Sequence, residues 1–404
     1  MTDDKQRKTP VLRFKGFHDD WEQRKLGEIM KVTSVKRIHQ SDWQKEGIPF
    51  YRARDIVAFS KNQKISEPLY ISRNKYEQFS KISGKVKKND LLVTGVGTIG
   101  VPLLIRKTPL YFKDGNIIWF QNNNQINGNF FYNLFLTSSV QKFIRTNTGV
   151  GTVSTYTIDS GKRTPVFLPK TKEQNKVSEI FEIIEKLISL QQRKYKILLN
   201  LQNTLLMSTL KFKPKVDPVV YFKTSSNKIE KFLLKDVARI TMGQSPSSKN
   251  YFEKPVGEVL IQGNADIKKN SIYPRIWTTE VTKEVNIGDI LLTVRAPVGE
   301  VAIADRKAVI GRGVAGISTN NQVIFYYLKL IKNTHIWDRL SSGSTFQSIS
   351  SKDINNLPLY LPNQETQLKI VKLLNSVLKK ISVEENKINT TEELKQFLLQ
   401  NMFI

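Results

Sequence analysis

The chain of 404 residues contains no cysteine, which excludes disulfides, thiol catalysis and thiolate zinc. Histidine is nearly absent too: His18, His39 and His335 are scattered and share no metal-ligand spacing. No apolar run approaches the roughly 18 residues of a membrane span. The opening Met1 to Lys8 is charged and lacks a signal-peptide core, so a soluble, cytoplasmic protein is expected. Acidic residues are also scarce, with 36 Asp+Glu against 63 Lys+Arg and a formal net charge of +27. Such an excess repels itself in a compact chain and is relieved by a polyanion. A lysine-rich coding bias explains many lysines but not the shortage of acids. No basic amphipathic segment points to an anionic membrane surface, which leaves nucleic acid as the expected partner.

What is present is enough for folded cores: 39% of residues are hydrophobic and 10% aromatic. The length suggests two or three domains, and internal repetition selects two. Trp21-Glu22 followed by Leu26-Gly27-Glu28-Ile29 is matched by Ile229-Glu230 followed by Leu234-Lys235-Asp236-Val237. Ile48 to Ile56 resembles Val259 to Ile267. Lys88-Asn89-Asp90-Leu91-Leu92-Val93-Thr94, running to Gly100, matches Ile287-Gly288-Asp289-Ile290-Leu291-Leu292-Thr293, running to Gly299. Both halves then pass a Gly/Ser/Thr-rich stretch, Thr148 to Ser154 or Ser341 to Ser348. Both reach Pro165-Val166-Phe167-Leu168-Pro169 or Pro358-Leu359-Tyr360-Leu361-Pro362. Shared composition alone would not keep five matches in one order, so the chain is a duplication.

Each half reads as a strand-rich domain followed by a long helix. Short β-branched or aromatic runs such as Ile117–Phe120 and Val301–Ile303 are expected strands, and local helices are expected over Phe130–Arg145 and Val323–Leu340. After Pro169, Ile180, Ile184, Leu187, Leu198, Leu201, Leu205 and Phe212 recur on steps of three and four. A helix of ~40 residues would be roughly 60 Å long, with Pro214 and Pro218 ending it as a linker. After Pro362 a second stripe carries Leu374, Val377, Ile381, Ile388, Leu394 and Leu398, interrupted by Glu384 and Thr391. The two long helices are expected to pack on each other, antiparallel, between the strand-rich domains. The expected segments are 1–168, 169–214, 215–361 and 362–404.

Candidate chemistry is thin. Gly95-Val96-Gly97-Thr98-Ile99-Gly100 fits the dinucleotide pattern, but that pattern needs a helix next, and Val101-Pro102-Leu103-Leu104-Ile105 reads as a strand. Its repeat, Val294-Arg295-Ala296-Pro297-Val298-Gly299, keeps only the last glycine, so a turn is expected in both. Asn356-Leu357-Pro358-Leu359-Tyr360 is faintly similar to the N-P-P-Y loop of adenine methyltransferases but lacks the first proline. Glu385-Asn386-Lys387 has no Pro-Asp partner of the nuclease type. No nucleophile–base constellation, cofactor cradle or metal set stands out, and a non-catalytic protein is expected.

DNA contact draws on Arg, Lys, Asn, Gln and Ser carried by loops. The halves offer such loops at comparable places. Lys31 to Arg37, including Lys36, corresponds to Thr241 to Lys249, including Gln244, Ser245 and Ser247. Arg52 and Arg54 correspond to Gly263 and Ala265, with Gln262 and Asn264 close by. Lys113, Gly115 and Asn116 lie near the position of Arg312 and Gly313, and Arg295 lies in the second glycine turn. These loops diverge between the halves, as two domains reading different sequences require.

The chain closely resembles the specificity (S) subunits of type I restriction-modification systems. The resemblance rests on Pro10 to Phe17, Trp21-Glu22, Leu26-Gly27-Glu28-Ile29, Gly243-Gln244-Ser245-Pro246-Ser247, Gly288 to Thr293, and Pro169 through Glu173-Gln174, altered to Glu365-Thr366-Gln367 in the second copy. It implies an α+β fold of two strand-rich α/β target recognition domains in pseudo-twofold repeat, with the long helices as an antiparallel coiled coil. It implies that each domain reads half of a split DNA site. It also implies docking of two modification (M) subunits, which carry S-adenosylmethionine and methylate adenine, and of restriction (R) subunits, which use ATP and Mg²⁺. The rival readings are a self-contained methyltransferase or nuclease, and a basic RNA-binding scaffold.

Overall fold

The structure is a computed structural model describing residues 8–147, 155–210, 218–220, 222–223, 228–337 and 348–404. The Gly/Ser/Thr-rich stretches up to Ser154 and Gln347, together with Phe212 and Pro214, lie outside the described residues. The chain divides into two compact units, Met1–Leu190 with Ile388–Ile404, and Gln191–Lys387.

The framework of the first unit is built from short paired strands, of which the central Leu91–Thr94 is wholly buried. Glu22–Lys25 pairs antiparallel with Pro165–Leu168. A four-stranded sheet has the order Lys31–Thr33, Ile117–Gln121, Leu91–Thr94, Pro102–Leu104. Beside it, Ile48–Tyr51 pairs parallel with Tyr111–Phe112 and antiparallel with Leu69–Ile71. The second unit repeats this plan. Ile229–Leu233 pairs with Pro358–Pro362, a four-stranded sheet runs Arg239–Met242, Val314–Ser318, Ile290–Thr293, Val301–Ile303, and Glu258–Ile261 pairs parallel with Ala308–Ile310. The strand pairs thus recur in the same connectivity, and even the short helices Leu26–Ile29 and Leu234–Val237 are single turns in both copies. The units differ in what is spliced into this frame. The first carries helices Ala53–Ser60 and Arg73–Ser83, whereas the second carries the hairpin Ile267–Lys268/Ser271–Ile272 and extra strands.

Two expected helices change. Phe130–Arg145 is two helices, Gly128–Leu136 and Ser138–Thr146. The break is Thr137, which is extended; its hydroxyl donates to the Leu134 carbonyl at 2.7 Å and caps the second helix at Val140 N. The other is Val323–Asn333, interrupted by His335 in the left-handed region, with Ile336 and Trp337 helical again; the expected end, 338–340, lies outside the described residues.

The long helices are Thr171–Thr209 and Gln364–Asn401. The phase of the first buried stripe differs from expectation: Val177, Phe181, Ile184, Ile188, Gln202 and Leu206 are buried, whereas Leu187 and Leu201 are exposed. In the second helix Glu384 and Thr391 are part of the buried stripe, while Leu394 is exposed. Glu384 is tolerated because Lys194 reaches it at 2.8 Å. Within each unit the two helices run antiparallel. In the first, Phe181 meets Phe403 and Glu185 meets Lys395. In the second, Lys194 meets Glu384, and Leu206 and Leu210 share a core with Ile370 and Leu374.

The C-terminal Phe403 closes the first core. Its ring lies 6.3 Å from Trp21, 5.0 Å from Phe130 and 5.7 Å from Phe181. Replacing it leaves a large cavity. Phe403→Ala is expected to cost about 3–5 kcal/mol, seen as earlier urea unfolding of this unit and loss of the near-ultraviolet aromatic dichroism. An unchanged midpoint would refute this account of the core.

Candidate nucleic-acid interface

In each unit the parallel strand pair brings three loops together. In the first, Lys113 N donates to the Tyr51 carbonyl at 2.8 Å, Tyr111 OH donates to the Lys36 carbonyl at 2.8 Å, and Arg37 Nε donates to Asp114 Oδ2 at 2.8 Å. Loops 34–37, 51–54 and 113–116 therefore share one edge. In the second, Gly311 N donates to Ile261 O at 2.8 Å, Gln244 N to Ile310 O at 2.9 Å, and Arg312 N to Ser245 Oγ at 3.1 Å. This juxtaposes loops 243–249, 262–264 and 311–313. The approach is close enough to demand glycine: a Cβ on Gly313 would lie 2.1 Å from the Gln262 carbonyl, and one on Gly243 2.1 Å from the Gly311 carbonyl.

Both copies pin the middle loop in the same way. Asp55 accepts from Arg52 N at 2.8 Å, and Asp266 accepts from Gln262 N at 2.8 Å and Gly263 N at 3.2 Å. These aspartates occupy matching positions in the repeat and are both buried. A buried carboxylate needs such donors, so the turn and the aspartate require each other.

The glycine turns are also equivalent. Gly95 to Gly100 joins the antiparallel strands Leu91–Thr94 and Pro102–Leu104, with Gly97 and Gly100 at positive φ. It leads to a strand, so no helix N-terminus is there to receive a pyrophosphate. Gly95 N donates to Asn116 O, and in the second copy Val294 N donates to Gly313 O. Each glycine turn thereby braces the third loop of its cluster.

The residues picked out from sequence separate by position. Lys36, Arg37, Lys113 and Asn116 come together in the first unit, with Arg54 exposed nearby and bonded to Glu67 at 2.6 Å. Arg52 turns inward: its side chain is 15% exposed, and its guanidinium bonds Asp55 and the Glu67 carbonyl. Lys31 starts the strand Lys31–Thr33, opposite Gln121, at the end away from Arg37. In the second unit Gln244, Ser245, Gln262 and Arg312 come together. Asn264 is exposed in the turn Asn264–Asp266, and Arg295 is exposed beside Val294, bridged to Ser348. Ser247 and Lys249 lie around the turn Ser248–Asn250, held by Glu280, which accepts from Ser247 N at 2.9 Å and Asn250 Nδ2 at 2.6 Å.

Sequence reasoning missed the acids Asp55, Asp114, Asp266 and Glu280, which organise these loops. A signal existed for two of them, since Asp55 and Asp266 align in the repeat. Among the described residues no group of three His, Asp or Glu could hold a metal ion, and no helix is long and apolar enough to cross a membrane.

Cationic and amide side chains on braced loops can neutralise phosphates and bond base edges. The class defined by fold and loops is a duplicated DNA-recognition protein. Comparison with known proteins specifies it further. The family described as "Type I restriction modification DNA specificity domain" matches residues 18–200 and again 227–393. Among curated relatives, a Methanocaldococcus jannaschii protein named as the type I restriction enzyme MjaX specificity subunit is 28% identical, covering 94% of this chain and 92% of its own. The type I restriction enzyme MjaIX specificity subunit of the same organism is 27% identical over 184 residues, 42% of this chain and 43% of its own. Among solved structures, the type I restriction-modification S subunit from M. genitalium has a TM-score of 0.63 at 14% identity, covering 98% of this chain and 99% of its own. A chain from a study of complex assembly and conformational transition in a type I R-M system has a TM-score of 0.59 at 22% identity, covering 95% and 97%. The chain belongs to the type I restriction-modification specificity family. It is a specificity subunit, a non-catalytic component that recognises DNA sequence and associates with other subunits of such a system.

Two outcomes follow from the geometry. Arg52→Ala should destabilise the first unit by about 1–3 kcal/mol, through loss of bonds to a buried carboxylate, and should lower the melting temperature more than it weakens DNA binding. Donors at Ser247 and Asn250 hold Glu280 below the ordinary carboxylate value. The tie it makes is therefore full above the ordinary carboxylate range and is lost as pH falls through the lowered value. The amide protection factor at Ser247, corrected for the intrinsic pH dependence of exchange, should fall on that acid side, and Glu280→Gln should flatten the dependence.

Proposed function

We propose that each loop cluster reads one half of a split, asymmetric DNA site, and that the chain directs adenine methylation or restriction to that site through its partners. The observation that carries this reading is the pair of equivalent clusters: one bracing scheme in both copies, different side chains on it. In this reading the recognition domains are 1–168 and 215–361, with the helical segments 169–214 and 362–404 as spacer. Lys31, Lys36, Arg37, Arg54 and Lys113 serve the first half-site with Asn116; Arg52 contributes by shaping its turn. Gln244, Ser245, Ser247, Lys249, Gln262, Asn264, Arg295 and Arg312 serve the second. The net charge of +27 supplies affinity for any duplex.

Two M subunits would dock on the helices, one per unit. In support, a second apolar stripe faces outward on the first long helix: Ile183, Leu187 and Leu190 in the first unit, Ile197 and Leu201 in the second. Unpaired apolar stripes of this kind mark partner surfaces. S-adenosylmethionine would reside on the M subunits, and ATP and Mg²⁺ on R subunits joining the complex, all acting in the cytoplasm. The residues of this chain fit that division of labour: its best dinucleotide-like motif is a turn between antiparallel strands.

Three measurements test the reading. In filter-binding competition the chain should prefer duplex DNA to RNA, with affinity falling steeply as salt rises. Exchanging residues 1–168 for those of a relative should change one half of the methylated motif and leave the other intact; a swap that alters both halves refutes modular reading. Inserting a heptad into both long helices adds about 10 Å of helix and should lengthen the unread spacer between half-sites; an unchanged spacer removes the ruler role.

A further inference from the structure

The loop 113–116 in the first unit has no full counterpart in the second. Strand pairing aligns Tyr111–Phe112 with the end of Ala308–Ile310 and Ile117 with Val314. Four residues, Lys113-Asp114-Gly115-Asn116, therefore span the gap that Gly311-Arg312-Gly313 spans in the second unit. The first loop is one residue longer, and it carries an acid, Asp114, that the second lacks. It lies at the edge where the loops converge, and its Oδ2 accepts from Arg37 Nε at 2.8 Å.

Arg37 is 65% exposed, yet it is anchored. Its neighbours Val35 and Ile38 are buried, Ser83 Oγ accepts from Lys36 N at 2.6 Å, and Tyr111 OH donates to the Lys36 carbonyl. Asp114 then fixes the side chain through Nε alone. Among the described residues the two terminal nitrogens make no hydrogen bond. The other two arginines of the cluster differ: Arg52 spends Nη2 on Asp55 and the Glu67 carbonyl, and Arg54 spends Nη2 on Glu67. Asp114 Oδ1 is buried without a partner, so the compensation of this carboxylate falls to Arg37.

A planar guanidinium held at Nε presents its two terminal NH2 groups as a rigid fork. That fork matches the N7 and O6 acceptors of guanine in the major groove, the commonest specific arginine contact. A phosphate would also accept it, but phosphate contact gains little from such rigid aim, and Lys36 and Lys113 beside it supply loosely held charge for the backbone. We propose that Arg37, aimed by Asp114, reads a guanine in the half-site of the first unit. The proposal rests on the reading of these loops as the DNA-facing surface. Asp114 is a positioning residue, and Arg37 is the residue that touches the base.

The test co-expresses the full chain with its modification subunits in a host lacking other adenine methylation, and sequences the methylated sites. Wild type should show an invariant guanine in one half-site. Arg37→Ala and Asp114→Asn should each admit other bases at that single position, with discrimination falling on the order of ten- to a hundredfold, while the other half-site stays strict. With the purified complex, 7-deazaguanine at that position should weaken wild-type binding and leave Arg37→Ala binding unaffected. A motif that stays strict in the Arg37 variant overturns the proposal, and so does a uniform fall in methylation with the motif intact. Arg312→Ala separates the two levels of failure. If it alters the other half-site while Arg37→Ala changes nothing, the guanine assignment fails and the DNA-facing surface stands. If neither variant changes motif or affinity, the surface itself is wrong.

Discussion

Each unit is completed by the end of a helix that begins in the other repeat, and the rest of the structure depends on this closure. Phe403, at the far end of the second long helix, sits among Trp21, Phe130 and Phe181 in the first core. Leu206 and Leu210, at the far end of the first long helix, take the corresponding place in the second core beside Ile370 and Leu374. The backbone near the N-terminus joins in, with Leu12 N donating to the Asn401 carbonyl at 2.8 Å and Arg13 bonding the buried Glu173. Burying an aromatic ring is worth several kcal/mol. A helix end seated in this way also fixes the register of the helix leading to it. Neither repeat is therefore a finished domain by itself, although each carries a whole sheet framework.

Duplication was legible because it is written as order: five short blocks recur in the same sequence, and those within the described residues take matching places in both units. Long helices were legible from periodicity, but their phase was not. Leu187 and Leu201 fit the three-and-four spacing as well as Val177 and Phe181 do, because the helix bears two apolar stripes. Only packing reveals which is core. The intrusions at Glu384 and Thr391 are the converse case, since a polar residue on a buried face becomes intelligible only once Lys194 is seen opposite Glu384.

The candidate interface was legible as a set of loops and less so as residues. An arginine on a polar loop has the same appearance in sequence whether it faces outward, as Arg37 does, or folds back on a carboxylate, as Arg52 does. The deciding partners are acids distant in sequence or easily taken for surface charge, such as Asp114, which meets Arg37 across 77 positions. Chain scarce in acid makes these few conspicuous: several stand at the loops, holding donors in place.

The loops are braced mainly by main-chain bonds, from Lys113 N to Tyr51 O, from Gly95 N to Asn116 O, and from Val294 N to Gly313 O. Main-chain bonds are indifferent to the side chain that a position carries. Outward-pointing residues on these loops that make no such side-chain tie carry little duty in folding, and they are free to drift or be exchanged while the frame stays intact. The address a restriction system recognises can consequently change on a different evolutionary clock from the machinery that acts on it.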